Sequence, residues 1–250
     1  MDKYTVITGA SSGIGYAAAK AFARRGKNLI LIARRIEQLE QLKSEIGAMS
    51  DVKVVIITSD LSVIENVYDV YSRLKQYFVE TWINNAGFGN YSLVGQQDLK
   101  KIENMINVNI TALTIFSSLY VSDYSNSPDT QLINISSAGG YTIVPNAVTY
   151  CAAKFYVSAF TEGLARELSE NHCQLKAKVL APAATKTEFG KIASNTKSYD
   201  YDAHFKTYHS AEQMADFLRQ LYDSDCTVGK VDRNTFDFRV ENGLLPYARK

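Results

Sequence analysis

Cysteine is scarce in this chain of 250 residues. Cys151, Cys173 and Cys226 are odd in number and far apart, with no CxxC spacing and no histidine cluster beside them, so neither a disulfide framework nor a structural zinc is expected. His172, His204 and His209 have no metal-ligand spacing either, and no metal is assigned. Only four prolines occur, at 128, 145, 182 and 246, all outside the helix-period segments, and nothing resembles a proline-rich linker. One domain over residues 1–250 is the expectation. Charge of one sign is missing as well: 27 Lys and Arg against 26 Asp and Glu leave a formal +1. That balance speaks against nucleic acid and anionic membrane and for a small-molecule partner. No apolar run approaches the roughly 20 residues of a spanning helix, and the amino terminus runs almost directly into a strand. A cytoplasmic protein with no membrane association is expected.

What the chain does have is alternation. Apolar, β-rich runs at 4–7, 28–33, 52–57, 81–84, 131–135 and 175–180 are short and continuous, as in strands buried on both faces of a parallel sheet. Helix-period segments fall between and after them, at 14–25, 36–46, 64–77, 102–120 and 152–169. The pattern predicts an α/β fold, a doubly wound, Rossmann-type parallel sheet with helices on both faces. After Leu180 the pattern breaks into a long polar and aromatic stretch, Thr185 to Ser210, then a helix over 211–222 and a short tail. A loop of that length in a compact domain is usually functional, and 185–222 is the candidate substrate lid.

Two clusters carry chemistry. The first strand leads into Thr8-Gly9-Ala10-Ser11-Ser12-Gly13-Ile14-Gly15 and an alanine-rich helix. Glycines there permit a tight turn and close backbone approach, and a helix amino terminus offers N–H groups and positive dipole to a diphosphate. The second strand ends in Arg34 and Arg35, with no carboxylate before Glu37. Guanidinium at this place suits the 2′-phosphate of NADP(H), whereas a carboxylate would suit the ribose of NAD(H). The second cluster is Tyr150 and Lys154, four residues apart and so on one helix face, with Ser137 thirteen positions upstream. A nearby lysine cation is expected to lower the phenol's pKa and fit it for proton exchange with a carbonyl or alcohol. Cys151 points about 100° away from Tyr150 on such a helix and is assigned to packing.

Together these motifs resemble the short-chain dehydrogenase/reductase family over roughly three quarters of the chain, from Thr5 to about Phe189. Thr8 to Gly15 is similar to that family's glycine-rich cofactor loop, Asp60-Leu61 to its adenine contact, and Asn84-Asn85-Ala86-Gly87 to its motif after strand four. Asn109, Ser137, Tyr150 and Lys154 match its catalytic tetrad in order and spacing. The resemblance implies that Gly9, Ser11, Ser12, Gly13, Ile14 and Gly15 hold the dinucleotide, with Asn85, Ala86 and Gly87 at its ribose. It implies that Pro182, Thr185 and Thr187 serve its nicotinamide and diphosphate. Ala183 stands where the family usually has glycine. Tyr150 becomes the proton donor or acceptor, Lys154 its modulator and a ribose contact, and Ser137 the orienter of the substrate oxygen. Asn109 becomes the residue that kinks its helix and holds a relay water.

The implied function is NADP(H)-dependent interconversion of a carbonyl and a secondary alcohol by hydride transfer. Within the family, a 3-hydroxy acid dehydrogenase and a 3-oxoacyl reductase remain open. Outside the enzymes, a dinucleotide-sensing regulator would lack the tyrosine and lysine present here. Aromatic residues between 88 and 91, near 141, and between 189 and 208 suggest an apolar or extended substrate, with lysines at 186, 191, 197 and 206 as candidate acid-group contacts. The resemblance also implies a homodimer or homotetramer, for which Leu113, Ile115, Phe116, Phe155 and Phe160 are candidate interface residues.

Overall fold

A computed structural model describes residues 2–248. Strand and helix alternate as β1 (Lys3–Thr8), α1 (Gly13–Ala23), β2 (Asn28–Ala33), α2 (Ile36–Gly47), β3 (Val54–Thr58), α3 (Ile64–Leu74) and β4 (Phe78–Asn84). Next come α4 (Leu99–Ile106), α5 (Leu113–Tyr124), β5 (Gln131–Ile135), α6 (Val148–Glu170) and β6 (Lys176–Ala181). The remainder holds β7 (Thr185–Lys186), α7 (Phe189–Ala193), α8 (Tyr201–His204), β8 (His209–Ser210), α9 (Ala211–Asp223), β9 (Val228–Val231) and β10 (Phe238–Glu241).

Among the described residues eight strands form one sheet in the order β10-β9-β6-β5-β4-β1-β2-β3. Every pairing is parallel apart from β9 with β10. The doubly wound sheet is as expected, but the supposed tail supplies its edge: β9 joins β6, and β10 folds back on β9. Strand order reverses between β1 and β4, which opens a crevice beyond the carboxyl ends of those strands. Neighbouring residues explain why the strands read as unbroken apolar runs. Ile7, Leu29, Leu31, Ile83 and Ile133 pack beneath α1, α2 and α9. Val6, Ile30, Ile32, Trp82 and Leu132 pack beneath α3, α5 and α6. The strands β1 to β6 feed both cores, so polar alternation is largely lost along them.

α4 and α5 are joined by a π-helical segment, Asn107–Ala112, into one helix, Leu99–Tyr124, of 26 residues. By length and composition it qualifies as a spanning helix, although polar residues such as Asn107, Asn109 and Thr111 interrupt its apolar sequence. One face of it lies in the core, where Met105, Leu113, Phe116 and Tyr120 are all buried. Leu113 and Phe116 are therefore core rather than interface residues. Ile115 packs partly into the same core, while Tyr156 and Phe160 stack on each other on α6, ring centroids 5.8 Å apart.

The candidate lid also divides. α9 buries Met214, Ala215, Leu218 and Leu221 along α1 and belongs to the body. The stretch before it leaves and re-enters through one ladder, Thr185 opposite His209 and Lys186 opposite Ser210. A buried carboxylate fastens the other end of the chain. Glu162 of α6, 4% exposed, accepts from the Leu244 and Leu245 amides at 2.6 and 2.9 Å and from the Tyr141 hydroxyl at 2.6 Å. Glu162→Gln weakens three charge-assisted bonds and is expected to cost about 1–3 kcal/mol in urea unfolding. Amide exchange should accelerate first at 244–245; unaltered protection there would remove Glu162 as the anchor.

Candidate active site

A cleft of about 770 Å³ lies over the carboxyl ends of the strands, lined from the β1–α1 turn at one end to α8 at the other. Thr8 and Asn85 bind its floor together. The Thr8 hydroxyl accepts from the Asn85 and Ala86 amides at 3.0 and 2.9 Å, and the Asn85 side chain donates to the Thr8 and Gly9 carbonyls at 2.9 and 3.2 Å. Two glycines make this closeness feasible. Gly9 has φ of +68°, and a Cβ on it would lie 2.8 Å from Cα of Ala86. A Cβ on Gly15 would lie 2.4 Å from the Asn85 amide nitrogen and 2.5 Å from the Gly9 carbonyl oxygen. Any side chain there would part the two turns.

This end of the cleft fits a dinucleotide. Gly9, Ser11, Ser12, Gly13 and Ile14 line it, while Gly15 sits behind them. Ser12 caps α1 with its backbone extended but makes no side-chain cap bond, and the first turn carries no acidic residue. The amino-terminal N–H groups of α1 are left for an anion. Arg34 and Arg35 line the same end, in different states. Arg34 is 68% exposed in its side chain, 4.0 Å from Asp60. Arg35 is bound to Glu188 at 2.8 Å and donates to the Ser11 hydroxyl at 3.3 Å. Asp60 and Leu61 also line the cleft, and the Asp60 carboxylate accepts from the Ser62 amide and hydroxyl, so it caps a turn while facing the cleft.

At the centre stand Ser137, Tyr150 and Lys154. The Ser137 hydroxyl accepts from the Gly139 amide at 3.0 Å. Ser136 also reaches the cleft, but its hydroxyl is engaged with the Lys154 carbonyl and the Ser158 hydroxyl, so the Ser137 hydroxyl is the one that faces Tyr150. Tyr150 is 8% exposed, its ring centroid 5.3 Å from that of Phe189. Burial raises its phenol above the ordinary range, and the facing Ser137 hydroxyl pulls it partly back. Burial lowers Lys154 to about 8. Lysine was expected to depress the tyrosine, and in the cofactor-free protein burial instead sets the direction of the shift. The Lys154 amine donates to the Ile135 carbonyl at 2.8 Å and lies 5.9 Å from the Tyr150 ring centroid. With both groups enclosed, desolvation is the largest influence on each and moves both toward their neutral forms, although an amine near 8 is still mostly charged at pH 7.

Asn109 lies behind the cleft wall, in the π-helical segment that is the expected distortion of its helix. Its amide donates to the Phe88 carbonyl at 2.9 Å and its carbonyl accepts from the Phe88 amide at 3.1 Å, fixing the loop after Gly87. Asn107 is spent on the Ser62 carbonyl. Asn85, Ala86, Gly87, Pro182, Thr185 and Thr187 all reach the cleft. Ala183 is absent from the positive-φ residues, so the backbone there demands no glycine.

The far end is aromatic, with Phe88, Tyr91, Phe189, Tyr199, Tyr201 and Phe205. The loop before α6 is supported from below, since Cys151 accepts from the Val144 amide at 3.3 Å. Lys101, His204 and Arg233 also reach this end, and the sequence reading missed all three as site residues. Lys101 looked like one of many surface lysines at a helix start. Arg233 sits in the turn of the unforeseen β9–β10 hairpin, where nothing in the motif pattern marks it.

Comparison with known proteins agrees with this arrangement. The family model of the short chain dehydrogenases matches residues 3–198. An uncharacterised oxidoreductase of Staphylococcus saprophyticus is 30% identical over 86% of this chain and 87% of its own length. Dehydrogenase/reductase SDR family member 11 of Homo sapiens is 33% identical over 75% of each chain. A solved short-chain dehydrogenase from Sphingobium yanoikuyae, in complex with NADPH, superposes with a TM-score of 0.83 at 30% identity, covering 92% of this chain and 87% of that one. With the match running through glycine turn, serine, tyrosine and lysine alike, the chain belongs to the short chain dehydrogenase family of oxidoreductases.

Proposed function

We propose that the protein interconverts a carbonyl and a secondary alcohol with NADP(H), Tyr150 exchanging the proton. The observation that carries this reading is one cleft lined by the uncapped α1 terminus at one end and by Ser137, Tyr150 and Lys154 at its centre. The dinucleotide, when bound, supplies or takes the hydride. Gly9 to Gly15 would hold its diphosphate, Asp60 and Leu61 its adenine, Asn85 to Gly87 its ribose, and Pro182, Thr185 and Thr187 its nicotinamide side.

The chain's own part is orientation and proton transfer. Ser137 donates a hydrogen bond to the substrate oxygen and fixes it against the phenol. Tyr150, kept protonated by burial, gives its proton to that oxygen as negative charge develops there, and takes it back in oxidation. Lys154 holds the ribose and, as the ammonium it mostly remains at pH 7, stabilises the phenolate left behind. Asn109 fixes the Phe88 loop, and its carbonyl keeps a second lone pair for a relay water. Residues 185–210 form the substrate lid, with α9 left in the body.

The preference for NADP(H) over NAD(H) rests on Arg34, exposed toward the adenine end of the cleft, and is supported by the NADPH held by the Sphingobium relative. Wild-type protein is expected to bind NADPH at least about tenfold more tightly than NADH, and Arg34→Ala to remove most of that difference. Fluorescence titration decides it, and equal wild-type affinities would overturn the assignment. Assembly as a homodimer or homotetramer in the cytoplasm belongs to the same proposal. Small-angle scattering at known concentration tests the first part; a monomer would refute it.

A further inference from the structure

We infer that the substrate carries an anionic group on an aromatic or extended apolar body, and that Arg233 and Lys101 receive that group. The inference rests on the oxidoreductase reading and names the substrate class for it. The only carboxylates lining the cleft among the described residues are Asp60 and Glu188, both at the cofactor end beside Arg34 and Arg35. The aromatic end has none, yet holds Lys101 and Arg233. Neither of these forms an ion pair among the described residues.

Lys101 is partly buried and donates to the neutral Ile192 carbonyl at 2.9 Å; the nearby Asp98 carboxylate, engaged with the Lys100 and Lys101 amides, offsets its charge only in part. Arg233 extends from the β9–β10 turn, whose own acid, Asp232, is occupied with the Asn234 and Thr235 amides. Arg233 lines the cleft together with Tyr91, Tyr199 and Tyr201, and its charge is a small downward influence on the Tyr91 phenol, which burial pushes up to about 12. Two cations outside any ion pair, set beyond apolar walls, select a ligand that is apolar along its length and negative at its end. A neutral ketone would fill the walls and leave both charges unanswered.

Benzoylpropionate, an aryl ketone with a carboxylate tail, and its methyl ester separate the alternatives. Calorimetric titration should show the acid binding at least about tenfold more tightly than the ester. Arg233→Gln should raise the acid's KM about tenfold, more than it lowers kcat, and Arg233→Lys should recover part of the loss. Arg233 is exposed in a turn, and an unchanged thermal midpoint confirms that the variants fold. If the ester binds and oxidises NADPH as well as the acid, the inference falls and the oxidoreductase reading stands. If the acid binds through Arg233 but neither compound, nor any member of a wider carbonyl panel, oxidises NADPH, the oxidoreductase reading falls and takes the substrate claim with it.

Discussion

Tyr150→Phe should lower turnover by about 10²- to 10⁴-fold while NADPH binding persists. The size is that of removing a positioned proton donor. Phenylalanine keeps the ring and so its packing against Phe189, and takes away only the hydroxyl that faces Ser137. The test is a panel of carbonyl compounds followed at the NADPH absorbance, with cofactor affinity measured in parallel. Since burial holds the phenol above 10, wild-type reduction should show no alkaline loss from Tyr150 below pH 10. A phenylalanine variant that keeps most of its turnover would mean that the proton comes from elsewhere.

The second large effect has opposite signs in activity and stability. Lys154→Met should reduce turnover at least about a hundredfold, yet make the cofactor-free protein more stable at pH 7. Lys154 titrates near 8 in the fold against its ordinary 10.5, so the folded state prefers the neutral amine. Below pH 8 the fold carries the full cost of a charged, enclosed ammonium; between about 8 and 10.5 the cost declines, and above 10.5 it is gone. That displacement corresponds to roughly 3 kcal/mol, of which about 1 is offset because methionine leaves the Ile135 carbonyl without its donor. The variant's thermal midpoint should therefore exceed wild type by about 5 °C at pH 7, and above pH 10.5, where only the lost Ile135 hydrogen bond is left, fall about 2–4 °C below it. A variant less stable than wild type at pH 7 would show that Lys154 is not strained by its burial.

Much of the fold was legible because its strands are buried on both faces. Runs such as Asn28–Ala33 and Gln131–Ile135 have no polar alternation to blur their limits, and glycine turns or helix starts punctuate them. β9 and β10 were not legible. Val228–Val231 is four residues long and contains Gly229 and Lys230, too little apolar pattern for a strand, and it exists because β6 offers it an open edge. The glycine turn and the Ser137, Tyr150 and Lys154 set were readable as spacing. Their protonation was not, because desolvation depends on what encloses a group rather than on its neighbours in sequence. Lys101 and Arg233 were hidden for a related reason, since only the folded hairpin and the α4 start bring them to the aromatic end.

The ladder of Thr185 with His209 and Lys186 with Ser210 has a consequence for how this protein can change. Because both ends of the excursion are held side by side on the body, closing the loop between them costs little extra when its length alters. The segment beyond Phe189 is thus an interchangeable cassette. Its residues can be rewritten, lengthened or shortened to admit other molecules while the proton donor and the dinucleotide turn keep their places.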